Sequence, residues 1–163
     1  MNMNKTSLLK EIGITSWVLR DVGLSSLDSS LVEQKVDRLK NMKWTLCTTQ
    51  IFKSQELFKK ILKTILDMGV ECEVIYFDHL QKEKIEVAGE LVIGFGQAAG
   101  QFLSKEKSNI EDMREIVFEV GNQLGNDVPV VITFHPDEVL AQYELKKLLW
   151  QDLLWARSIA LEL

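Results

Sequence analysis

An α/β fold, a three-layer α/β/α sandwich around a mainly parallel four-stranded sheet, is predicted by three features of the sequence. Strand-length apolar runs alternate with helix-length amphipathic stretches. The runs are nearly continuous in Val, Ile, Leu and Phe, as strands covered on both faces must be. The chain has 163 residues, 46% of them hydrophobic and 26% charged, enough for one substantial core and unlike a disordered tail. The division expected is an N-terminal helical or extended arm with its linker over 1–30, then a globular domain over 31–163.

In the arm, "NKTSLLKEIG" offers a short helix with Leu8, Leu9 and Ile12 on one side and Gly13 as its stop. "DVGLSSLDSS" reads as a linker. In the body "KWTLCTT" (43–49) is a strand, and "SQELFKKILKTILDMG" (54–69) a helix. Leu57, Phe58, Ile61, Leu62, Ile65 and Leu66 recur on one face of that helix, with Ser54 placed to cap its start and Gly69 its end. "CEVIYF" (72–77), "ELVIGF" (90–95) and "VPVVITF" (128–134) are further strands, and a helix opens at Gln97. Val117–Val120 has the length of a short edge strand. The segment "YELKKLLWQDLLWARSIALE" (143–162) is a long helix whose core side is Leu145, Leu148, Leu149, Leu153 and Ala156.

Nineteen basic against twenty-four acidic residues give a net charge of −5, which disfavours broad attraction to phosphate backbones or anionic membranes. The expectation is little or weak direct DNA binding, with Lys105 and Lys107 as the side chains placed to touch phosphate. Cys47 and Cys72 lie in strands without metal-ligand spacing and read as small buried hydrophobes of a reducing compartment. No apolar run has the ~20 residues of a membrane span, so no membrane association and a cytoplasmic location are expected. No cofactor and no metal are expected.

Chemistry is sought beyond the carboxyl ends of the strands. In "GFGQAAG", Gly94, Gly96 and Ala99 fit G-x-G-x-x-A between strand and helix. Either it binds a dinucleotide, or small residues let helix and sheet approach closely; the second reading is preferred. His135 of "TFHPDEVL" directly follows a strand, where a base facing a ligand would stand, while Pro136 and Asp137 begin a helix. Asp78 and His79 of "FDHL" stand at another strand end, where turn chemistry accounts equally well for the aspartate. No nucleophile or acid–base pair is assigned.

"LVIGFGQAAGQFLS" followed by "VPVVITFHPDEVLAQYELKKLLWQDL" resembles the uracil-DNA glycosylase superfamily, most of all its iron-sulfur branch. The resemblance implies the same doubly wound sheet and makes His135 the base-contacting histidine. Where those enzymes carry a Gly-Glu-x-Pro-Gly water-activating loop, however, this chain reads "TTQIFKSQ". Their uracil-reading Asn motif is replaced by "DHLQKEK", and four cluster cysteines cannot come from two. Gly94, Gly96, His135 and Asp78 would then mark a vestigial pocket.

The arm resembles another family. "EIGITSWVLRD" is similar to the opening of the psi subunit of bacterial DNA polymerase III. That resemblance implies a non-enzymatic clamp-loader subunit whose N-terminal peptide docks on the tau/gamma collar. Its body binds chi, and chi grips single-stranded-DNA-binding protein. Ile14, Thr15, Trp17, Leu19 and Arg20 would be the collar-binding residues. A Trp presents about 150–250 Å², so Trp17 needs cover, either from its own sheet or from a partner's groove; the motif favours the groove. Trp150, Leu154 and Leu161 form a separate stripe on the long helix, flanked by Lys146, Lys147 and Arg157. The stripe is either covered by another part of the chain or docks a chi-like protein. The resulting expectation is a psi-like adaptor linking the collar to chi; the alternative is a divergent glycosylase-like or nucleotide-binding enzyme using His135.

Overall fold

The computed structural model describes residues 34, 37–51, 53–78 and 85–163. Ile14, Thr15, Trp17, Leu19, Arg20 and the rest of the arm lie outside the described residues, as does His79.

Strand β1 (Lys43–Thr48) leads into helix α1 (Gln55–Asp67) and strand β2 (Glu71–Tyr76). β3 (Leu91–Phe95) is followed by α2 (Gln97–Ser104) and a one-turn helix α3 (Ile110–Arg114). β4 (Phe118–Gly121), β5 (Asp127–Thr133), α4 (Pro136–Ala141) and α5 (Leu145–Glu162) complete the order. The sheet runs β2-β1-β3-β5-β4, so it has five strands: the four expected, plus the edge strand at Phe118–Gly121. β1 pairs in parallel with β2 and β3, β3 with β5, and only β4 runs antiparallel, with Phe118 opposite Val130. A short hairpin reverses β4 into β5, and Asn122 shapes it: its Oδ1 accepts the N–H groups of Leu124 and Asn126, each at 2.9 Å.

Alternation along the strands sorts the core into two layers. Trp44, Leu46, Leu91, Ile93, Phe95 and Val131 face the side covered by α1, α4 and α5, where Phe58, Ile65, Val139, Leu149 and Leu153 meet them. Cys47, Val92, Val128, Val130 and Ile132 face α2 and α3, meeting Ala99, Leu103 and Met113. Full burial of each large aliphatic or aromatic side chain contributes about 1.5–3 kcal/mol before ordering costs. β3 and most of β5 are therefore apolar on both faces, which is why their sequence lacks polar alternation, whereas β1 also buries Thr45 and Thr48.

Of the two ends of α1, one follows expectation and the other does not. Gly69 follows α1 with φ +89°, in the left-handed region that ends helices. Ser54, in contrast, makes no side-chain cap. Its N–H and Oγ–H both donate to Asp137 Oδ1, as does the N–H of Lys53 at 3.1 Å. A carboxylate from α4 thus takes the backbone N–H groups leading into α1, and a negative charge there suits the helix dipole.

Candidate functional site

Because β1 has β2 on one side and β3 on the other, the chain reverses direction across the sheet between β1 and β3. The crevice beyond their carboxyl ends is the place where open parallel sheets bind ligands. Thr49 follows β1, Gly96 follows β3, and His135 stands two residues beyond β5. These three and the aromatic pair Phe77 and Phe102 line a cleft of about 710 Å³. The two rings stack with centroids 4.8 Å apart, and Lys105 and Lys107 stand at its rim.

The His135 ring has assigned hydrogen bonds on both nitrogens. Its Nδ1 accepts the N–H of Asp137 at 3.2 Å, while the backbone N–H of His135 donates to Glu138 Oε2 at 2.9 Å, completing a capping box at the start of α4. A backbone N–H can only donate, so the neutral ring carries its proton on Nε2 and donates to Thr49 Oγ1 at 3.2 Å. His135 thus has both ring nitrogens engaged, by Asp137 and by Thr49, and does not present the free lone pair that a general base needs. Its placement beside the cleft agrees with the sequence; its role as a base does not follow.

The other pocket residues separate. Gly96 touches His135: at φ +87° it occupies a conformation that L side chains rarely adopt, and a Cβ there would lie 2.9 Å from His135 Cβ. Gly94 does not line the cleft. It lets α2 approach the sheet, since a Cβ would meet Ile132 at 2.6 Å and Leu103 at 3.1 Å. Close helix–strand packing therefore accounts for "GFGQAAG". Asp78 lines an adjacent cleft with Tyr76 and Lys59, apart from Gly96 and His135. Thr49, Phe77 and Phe102 were not singled out from the sequence. Thr49 and Phe77 each directly follow a strand, and that position was the available signal.

Beneath the cleft a buried ion pair fixes the end of β5. Arg114 grips Asp152 with two bonds of 2.8 Å, and Thr133 Oγ1 donates to the same carboxylate at 2.6 Å. The guanidinium also lies 4.5 Å from the centroid of Phe134. Asp152, on the buried side of the long helix, thus finds its partners in side chains from α3 and β5. A fork-shaped guanidinium satisfies both carboxylate oxygens at once.

Helix α5 buries Leu149, Leu153, Ala156 and Ala160, while Leu145 and Leu148 are partly covered. On its other side Trp150 is 43% and Leu154 42% exposed. Leu161 parts from them: it is half-buried and packs against the core. Leu140 and Tyr143, 55% and 79% exposed, extend the apolar surface. A groove of about 430 Å³ runs beside it, lined by Leu57, Lys60, Ile61, Tyr143, Lys146 and Trp150 among others.

Burial pushes the Cys47 thiol up to about 12 and that of Cys72 up to about 11, although Cys72 is only half-buried where full burial was expected. Among the described residues no helix is long and apolar enough to cross a membrane, and no group of three metal-ligating side chains forms. No protein-family model matches the chain, and no curated protein matches it.

Proposed function

We propose that the chain is a non-enzymatic adaptor of the psi type, joining the tau/gamma collar of a bacterial clamp loader to a chi-like protein and through it to single-stranded-DNA-binding protein. The observation that carries this reading is the apolar surface at Trp150 and Leu154, which α5 leaves open on a helix that buries Leu149, Leu153, Ala156 and Ala160 on its opposite side. Large aromatic side chains at such positions are the residue types most enriched among interface hot spots. The arm motif Ile14–Arg20 supplies the second contact, and the tether between the two raises the effective concentration of one partner near the other.

A pull-down with purified tau/gamma and chi subunits tests the reading. Wild type should retain both, Trp17→Ala should lose the collar alone, and Trp150→Ser with Leu154→Ser should lose chi alone. Retention of neither by wild type refutes it.

The cleft beside His135, with its stacked aromatic pair, favours an enzyme as the second reading. Incubation with uracil-containing DNA separates the two. The adaptor should release no base, whereas excision abolished by His135→Ala would establish the enzyme.

A further inference from the structure

Tyr143, Trp150, Leu154 and Leu161 follow one another at intervals of 7, 4 and 7 residues. Trp150 and Leu154 share one face of α5, Tyr143 stands in the turn before it, and together they make an apolar seam open to a further helix. Leu161 closes one end against the core, and the exposed part of the seam borders the groove between α1 and α5.

The charge around this seam has a definite sign. Lys146 and Lys147 fall on either side of Trp150, Arg157 lies one turn beyond Leu154, and Lys60 lines the groove from α1. None of these four makes an ion pair among the described residues. Lys146 Nζ stands 5.5 Å from the centroid of the Tyr143 ring, over the seam itself. Glu56, the acidic side chain lining the groove, is engaged by Lys59 at 2.8 Å. A positive rim thus surrounds an apolar seam on a chain whose net charge is −5.

We propose that this surface docks an amphipathic helix of a partner protein whose apolar stripe is flanked by Asp and Glu. The inference rests on the adaptor reading, in which α5 meets a chi-like subunit, and adds the chemistry that subunit must present. A second copy of the chain fits poorly. Two α5 helices paired antiparallel about the seam would set Lys146 and Lys147 opposite the other copy's Arg157, and like charges across an interface are costly. The chain's first twenty residues, with Lys5, Lys10 and Arg20 against Glu11, also have the wrong sign.

Two synthetic three-heptad helical peptides test the idea by calorimetric titration. Both carry Leu at the a and d positions; one has Glu and the other Lys at e and g. The Glu peptide should bind, weaken as salt is raised, and exceed the Lys peptide by about tenfold or more in affinity. Trp150→Ser with Leu154→Ser should abolish binding with the far-ultraviolet circular dichroism unchanged. Lys146→Glu with Lys147→Glu should reverse the preference between the peptides, a result that does not depend on the apolar variant folding. Equal affinity for the two peptides, no binding of either, or an unreversed preference overturns the proposal. Failure of the clamp-loader pull-down with a positive peptide result would refute the adaptor reading alone.

Discussion

Removing the carboxylate of Asp152 probes the ion pair under the cleft most directly. Asp152 accepts bonds of 2.8, 2.8 and 2.6 Å, and its side chain and that of Arg114 are 7% and 14% exposed. Asp152→Ala would leave a nearly buried guanidinium without its counter-charge and a buried Thr133 hydroxyl without its acceptor. Breaking such a pair from one side costs about 3–5 kcal/mol. With a urea m-value of about 2 kcal/mol per molar, a loss of about 4 kcal/mol lowers the unfolding midpoint by about 2 M. The reasoning also fixes a second outcome. Arg114→Met with Asp152→Leu removes both charges and their shared desolvation penalty, so the double variant should be more stable than either single one. Chemical denaturation followed by tryptophan fluorescence reads both quantities. A coupling energy within about 0.5 kcal/mol of zero would refute the assignment of the pair as one buried unit.

Two further outcomes follow from other sites. Gly96→Ala combines a strained φ of +87° with a Cβ 2.9 Å from His135, whereas Gly125→Ala at φ +79° meets open space; the first should therefore lower Tm clearly more, by about 4–8 °C for roughly 2 kcal/mol, and equal losses would show that the His135 contact does not matter. Cys47 is protonated in the folded state up to about 12 but ionises near 9.0 when unfolded. Its contribution is thus fully present below pH 9 and declines above it, at no more than about 1.4 kcal/mol per pH unit. Between pH 9 and 11 the stability of Cys47→Ala should fall less steeply than that of wild type, and parallel curves would contradict the burial.

The fold was legible because its strands are apolar on both faces. Val92, Ile93, Val130, Val131 and Ile132 are buried in the sheet and appear in the sequence as unbroken runs. Helix α3 escaped notice because five residues are too few to show a helical period. Ser54 has the composition of a cap, but its hydroxyl is drawn to Asp137, 83 residues away, and no local pattern records such a bond. His135 was found by position, yet its tautomer depends on the N–H of Asp137 and the hydroxyl of Thr49, which only the tertiary fold brings to the ring. The seam at Trp150 and Leu154 showed in helical projection; that Leu161 leaves it does not, because projection describes one helix and not what the rest of the chain lays against it.

The carboxylate that Asp137 lends to the start of α1 has a consequence for the order in which the chain matures. A polypeptide emerging from the ribosome would have β1, α1 and β2 available early, but the N–H groups of Lys53 and Ser54 lack their carboxylate partner until Asp137 has also emerged. β1 likewise gains its second neighbour only when β3 arrives, and β3 waits for β5. The body is therefore pinned across its length, with the lent carboxylate joining the start of α1 to a helix 83 residues further on.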